Sequence, residues 1–200
     1  PISVHVSALR HSFDSGITRP IEWRQTQLRQ LDRMLRDQEH VFEGALTEDL
    51  GKHALESQIT EIGFLRAEIA YALRHLHSWM KPTRVTPPAA VLPAKSWVRP
   101  EPLGTVLIIA PWNYPLMLAL SPLVGAIAAG NSAIVKPSEV APATSAAIAR
   151  HLETYLDVRA VRVIEGGVPE TTELLTHRFD HIFYTGNGNV GRTIAAAAAK

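Results

Sequence analysis

The chain has no cysteine among its 200 residues. This excludes disulfides, thiolate metal sites and a cysteine nucleophile within the stretch. It also lacks an excess of either charge: 20 Lys and Arg stand against 19 Asp and Glu, a formal net charge of +1. No strong field would draw such a chain to nucleic acid or to a membrane surface. No apolar run reaches the about 20 residues that span a bilayer, and the N-terminus has no basic-then-apolar profile of a signal peptide. These absences predict a cytoplasmic protein without nucleic-acid partners or a membrane segment in these residues. Aromatics are few, at 6%, but 46% of the residues are hydrophobic and the length suffices to bury a sizeable core.

The first eighty residues read as helical. Thr18-Arg19-Pro20 looks like a helix start, with the hydroxyl as cap and proline in the first turn. Leu28, Leu31, Leu35, Phe42 and Leu46 recur at three- and four-residue steps or their multiples, and Gly51 is a plausible stop. A second helix is marked by Ile59, Ile62, Leu65, Ile69, Leu73, Leu76 and Met80, ending at Lys81-Pro82. Two long amphipathic helices of this kind should pack antiparallel on each other and on the sheet domain. Positions 82, 87, 88, 93, 100 and 102 hold six of the fourteen prolines. Residues 82–102 therefore form an extended connector, with an edge strand around Ala94 to Val98.

From Leu103 onward strands and helices alternate. A buried strand, Leu103 to Ala110, breaks at Pro111-Trp112-Asn113-Tyr114-Pro115 and gives way to an apolar helical segment. Gly130-Asn131 stops that segment, a strand from Ser132 to Val135 comes next, and it ends at Lys136-Pro137-Ser138-Glu139. This is a βαβ unit. A helix from about Ala143 to Tyr155 leads to a strand at Val161 to Ile164. A short helix near Thr171 to Thr176 leads to a fourth strand at His181 to Thr185, and the chain turns helical again after Gly191. The predicted fold class is α/β: an N-terminal helical pair followed by a parallel sheet with flanking helices. The chain divides into a helical segment at 1–81, a connector at 82–102 and an incomplete βα domain at 103–200. Its last helix, ending in five alanines and Lys200 without a cap, reads as cut rather than finished.

Open α/β sheets bind ligands outside the carboxyl ends of their strands, and the polar residues here cluster at such ends. Gly186-Asn187-Gly188-Asn189-Val190-Gly191 fits G-x-G-x-x-G between a strand and a helix. The pattern lets backbone amides approach a pyrophosphate, although a plain βα turn has the same form. Lys136 and Glu139 could hold a ribose diol or a phosphate, or simply make a solvated loop. Asn113, fixed between two prolines, could donate to a developing oxyanion or cap the next helix. Neither His75 with His77 nor His177 with His181 has good ligand spacing, so no metal site is expected.

Together these motifs resemble the aldehyde dehydrogenase superfamily, in its class-3-like and fatty-aldehyde branch. The carrying residues are Pro102-Leu103-Gly104, Ile109 through Pro115, Gly130-Asn131, Lys136-Pro137-Ser138-Glu139, Gly166 through Thr171, and Phe183 through Gly186 with Val190-Gly191. The resemblance implies a Rossmann-like cofactor domain and oxidation of a small-molecule aldehyde to a carboxylic acid with NAD or NADP. A cysteine forms a thiohemiacetal and then a thioester, which a glutamate-activated water releases; both residues belong downstream of this sequence. It further implies that Asn113 is the oxyanion donor and that Lys136 and Glu139 hold the adenine ribose. Pro111 and Trp112 would line the cofactor cleft, the 186–191 turn would meet the pyrophosphate, and Tyr114 would edge the substrate tunnel. The 82–102 segment resembles the family's subunit-bridging arm and so implies a homodimer. Asn187 stands where the family usually has serine. A non-catalytic NAD-binding module and an acylating or semialdehyde dehydrogenase are the alternative readings.

Overall fold

The computed structural model describes residues 1–199, so Lys200 and the end of the predicted last helix lie outside it. Five helices come first: α1 (Ile2–Asp14), α2 (Ile21–Asp37), α3 (Glu39–Leu50), α4 (Ala54–Ser57) and α5 (Gly63–Trp79). A two-stranded antiparallel arm of β1 (Thr83–Val85) and β2 (Ser96–Val98) follows. The remainder alternates: β3 (Thr105–Ile109), α6 (Pro115–Ala129), β4 (Ser132–Lys136), α7 (Pro142–Tyr155), β5 (Val161–Val163), α8 (Val168–Leu174), β6 (His181–Tyr184) and α9 (Gly188–Ala198).

The sheet of β3 to β6 has the order β5-β4-β3-β6, and every pairing is parallel. The chain therefore steps outward from β3 through β4 to β5, then returns to lay β6 on the other side of β3. Helices cover both faces. One core unites Val106, Ile108, Ala133 and Val135 with α2, α3, α5, α6 and α7. A second unites Leu107, Ile109 and Ile134 with Ile2, Val6 and Leu9 of α1, Leu174 of α8 and Ile194 of α9. Burial on both faces explains why β3 and β4 read as continuous apolar runs rather than alternating ones.

The helical stripe at Leu28, Leu31, Leu35, Phe42 and Leu46 is fully buried, but it lies on two helices, not one. The break is at Gln38, whose amide donates to the Tyr155 hydroxyl. Gly51 ends α3 in the left-handed conformation. Thr18 does not cap α2: its hydroxyl is buried and donates to the Gly130 carbonyl at 2.7 Å, a tertiary bond to the far end of α6. The second stripe also differs from the expectation, because a π turn at Gln58–Ile62 interrupts it. The extra residue rotates Ile59 out to 67% exposure and turns the adjacent Glu61 and Ile62 both inward. Only glycine fits the next position easily, since a Cβ at Gly63 would lie 2.6 Å from the Gln58 carbonyl oxygen. The edge strand expected at Ala94 to Val98 is β2, and it pairs with β1, which composition did not reveal. The last helix begins at Gly188, four residues before the expected start after Gly191.

α6 and α7 share a construction. Each begins with a proline and has no side-chain cap of its own. The N-terminal helices supply the missing acceptors. Glu61 Oε2 accepts the Leu116 and Met117 N–H groups at 2.9 and 3.0 Å. Asp49 accepts the Ala143 and Thr144 N–H groups at 3.0 and 2.7 Å. Carboxylates at helix N-termini satisfy orphan donors and complement the helix dipole, so the helical segment is fastened to the sheet by charge as well as by packing.

Candidate active site and cofactor crevice

Because all four strands are parallel, the segments leaving β3, β4, β5 and β6 emerge at one edge of the sheet. Backbone hydrogen bonds tie them together: Ala110 N–H donates to the Lys136 carbonyl, Ile164 N–H to Val135, and Thr185 N–H to Ile109. Asn113 and the 186–191 turn thus come after neighbouring strands and flank the point where strand order reverses. Crevices at such switch points are where open α/β sheets take their ligands.

Asn113 lies in the bend between β3 and α6 and is exposed to solvent. It is not the helix cap. That position belongs to Tyr114, and the amide of Asn113 makes no hydrogen bond among the described residues. Trp112 beside it is 52% exposed and Pro111 is half-buried, so both present surface at this edge of the sheet. The Tyr114 ring is half-buried and carries a cation, with Lys52 Nζ 4.0 Å from its centroid. Lys52 in turn pairs with Glu61 at 2.5 Å, and both side chains are nearly or fully buried.

Lys136 closes β4 with only 3% of its side chain exposed. Its ammonium donates to the Pro137 carbonyl at 2.9 Å and to Glu139 Oε2 at 2.8 Å. Burial pushes the Glu139 carboxyl up, but hydrogen bonds from Lys136 and from its own backbone, with the Lys136 charge, outweigh that effect. The net result holds it below the usual carboxylate range. The Glu139 side chain remains 47% exposed and its Oε1 carries no hydrogen bond among the described residues. One oxygen is anchored and one is available to hydroxyl donors. The neighbouring loop approaches closely, since a Cβ at Gly167 would lie 3.8 Å from Glu139 Cγ.

The 186–191 turn is built over Tyr184, whose hydroxyl donates to the Asn187 carbonyl at 3.1 Å. A side chain at Gly186 would collide with that hydroxyl, while a Cβ at Gly191 would only touch the ring at ordinary contact distance. Asn187 caps α9: its Oδ1 accepts the Asn189 and Val190 N–H groups, each at 3.0 Å. The amide nitrogen of Asn187 and the Gly188 N–H remain as donors. Of the helices starting at this edge, α6 and α7 have carboxylates on their first amides, and α8 carries Glu170 against the Gly167 N–H. Only α9 opens without a carboxylate among the described residues. Carboxylates at the first three oppose an anion there, and the fourth carries no such charge among the described residues.

The structure brings Asn113, Trp112, Pro111, Lys136, Glu139 and residues 186–191 to one edge. Tyr114 starts α6 at that edge but is engaged with Lys52. A cavity of 460 Å³ lies elsewhere, between Arg19, Arg24, Met80, Glu101 and the C-terminal end of α6 at Ala128 and Ala129. A helix of fifteen residues, about 22 Å long, separates it from Asn113. Sequence reading missed Lys52, Glu61 and Asp49. The available signal was a carboxylate inside an apolar stripe, Ile59-Thr60-Glu61-Ile62, followed directly by glycine.

The architecture defines a doubly covered parallel α/β domain with polar loops gathered at its strand-order reversal. A family model described as the aldehyde dehydrogenase family matches residues 4–200, and the chain belongs to that family. It is 49% identical over 195 residues to aldehyde dehydrogenase family 3 member H1 of Arabidopsis thaliana, covering 98% of this chain and 40% of that protein. It is 50% identical over 192 residues to family 3 member B1 of Rattus norvegicus, covering 96% and 41%. Among solved structures, the substrate-bound state of Staphylococcus aureus AldH superposes with a TM-score of 0.97 at 41% identity, covering all of this chain and 43% of that one. The chain therefore spans about two-fifths of the length of the relatives it matches.

Proposed function

We propose that the full-length protein oxidises an aldehyde to a carboxylic acid with NAD or NADP, and that these residues form its dinucleotide-binding part. The carrying observation is the common sheet edge shared by an uncommitted Asn113 amide, the Lys136–Glu139 pair and a helix N-terminus free of carboxylate. Family membership adds the chemistry. Glu139 Oε1 would accept the adenine ribose hydroxyls, with Lys136 donating beside it. The Asn187 amide, the Gly188 N–H and, once Asn187 Oδ1 yields them, the Asn189 and Val190 N–H groups would bind the pyrophosphate, with Gly186 and Gly191 keeping the approach open. Pro111 and Trp112 would wall the crevice. The nicotinamide, when bound, serves as hydride acceptor. The Asn113 amide would donate to the substrate oxygen as negative charge develops on it, a stabilisation realised only in the transition state. The nucleophile is not among these residues, since they include no cysteine.

The test is aldehyde-dependent NADH or NADPH formation by the full-length protein. Cofactor binding without aldehyde-dependent reduction would make it a non-catalytic module instead. Homodimer formation is a second part of the proposal. It is supported by exposed apolar residues on and around the β1–β2 arm, with Trp97 at 57% and Val98 at 60% exposure; sedimentation of the full-length protein checks it. We also propose that 1–81 buttresses the cofactor unit, that 82–102 bridges subunits, and that 103–200 holds the dinucleotide in a cytoplasmic enzyme. Fractionation of cells tests the last point.

A further inference from the structure

We infer that Glu61 is a positioning residue for Asn113, acting through the first turn of α6; this rests on the oxyanion role given to Asn113 above. Burying a carboxylate costs several kcal/mol unless it is fully partnered. Glu61 is 0% exposed, yet it spends neither oxygen on its own helix. Oε1 binds Lys52, and Oε2 reaches across 55 positions of sequence to the Leu116 N–H and 56 to the Met117 N–H. Pro115 has no N–H, so these are the first two donors that α6 possesses.

The same ammonium that neutralises Glu61 lies against the Tyr114 ring. Residues 114, 116 and 117 are therefore gripped from one buried point, directly after Asn113. On the other side, Ala110 is bonded to β4 through the Lys136 carbonyl. The Asn113 side chain makes no hydrogen bond of its own among the described residues. Its direction is thus set by the backbone on each side, and on the helical side Glu61 is the anchor. The π turn is part of the device, because it is what turns Glu61 inward beside Ile62. π turns concentrate at functional sites.

A displacement of the donor by about 1 Å is enough to lower turnover by about two orders of magnitude. The experiment uses the full-length protein with Glu61→Gln, Asn113→Ala and the double variant. It reads hydrogen exchange across 111–120, cofactor Kd, kcat and KM. Glu61→Gln keeps the size of the side chain but sets an NH2 group against either Lys52 or the α6 donors. The expected result is faster exchange in the first turn of α6 and a kcat lower by about tenfold to a hundredfold, with cofactor Kd unchanged. In the Asn113→Ala background the same substitution should alter kcat by less than about twofold, because coupled residues are non-additive.

An equal fold loss in both backgrounds, an unchanged kcat in the single variant, or unchanged exchange would each overturn the inference. Should Glu61→Gln not fold, Lys52→Met carries the same cycle, since it leaves the capping carboxylate and removes its ammonium. Additivity there would overturn the inference equally. A wild-type protein with no aldehyde turnover would refute the proposed function, while the exchange measurement would still judge the grip on α6.

Discussion

Replacing Asn113 by alanine separates two roles that the same side chain could play. As a helix cap it would contribute about 1 kcal/mol to stability, and its loss would lower the melting temperature. The geometry argues otherwise: Tyr114 holds the cap position, Glu61 satisfies the Leu116 and Met117 donors, and Asn113 is exposed and unbonded among the described residues. Substitutions at such positions change stability by less than about 0.5 kcal/mol. As an oxyanion donor the side chain would contribute about 2.7–4 kcal/mol to the transition state, or about 10²–10³ in kcat. The expected result for Asn113→Ala is therefore a melting temperature near wild type, a cofactor Kd near wild type and a kcat reduced by that factor. Steady-state NADH absorbance and thermal melting of the full-length protein supply both readings. A melting loss with unchanged kcat would assign Asn113 to capping and refute the reasoning. Equal losses of kcat and cofactor affinity would assign it to folding of the crevice.

Glu139→Gln should shift preference toward NADP, because an ionised carboxylate repels a ribose 2′-phosphate; competitive titration of the two cofactors checks this, and an unchanged ratio counts against it. The sign of the pH effect comes from the depressed carboxyl: the stability that the Lys136–Glu139 pair contributes is present above the unfolded value and lost as pH falls through the folded one. That contribution is small at a half-exposed carboxylate, so following the side chain by NMR titration is the suitable readout. Gly130→Ala should destabilise the fold by about 1–3 kcal/mol, since Gly130 has φ +86° and a Cβ there would lie 2.5–2.8 Å from the Arg24 guanidinium. A melting temperature equal to wild type would show that Arg24 can withdraw at no cost. Asp49→Ala should remove about 0.5–2 kcal/mol of helix capping from α7 while leaving cofactor affinity intact. A shift in Kd instead would tie α7 to the crevice.

Much of the fold was legible because local chemistry and burial agree in this chain. β3 and β4 are covered on both faces, so their apolar runs stand out without any knowledge of partners. Pro115 and Gly130 mark the two ends of α6 by fixed backbone preferences, one as a first-turn proline and one in left-handed conformation. The polar residues at strand ends were equally visible, since a parallel sheet places all such ends together. The misses have a common cause. Gln38 breaks a helix without glycine or proline, through a bond to Tyr155 far away in the chain. Thr18 has the sequence context of a cap, but its hydroxyl is claimed by the Gly130 carbonyl. Asn187 also uses its side-chain oxygen to cap its own helix, a second use of the amide that the motif did not report.

The amino-acid order by itself determined the alternation of strands and helices, the two buried stripes of the first eighty residues and the positions of the crevice loops. Each of these rests on local signals of period, proline and glycine. Tertiary structure alone decided that the N-termini of α6 and α7 are closed to anions. Glu61 and Asp49 lie far upstream of the helices they cap, and no local pattern reports a partner that distant. The physical reason is that a buried carboxylate is stable only where donors from another segment converge on it, and that convergence exists only in the folded chain.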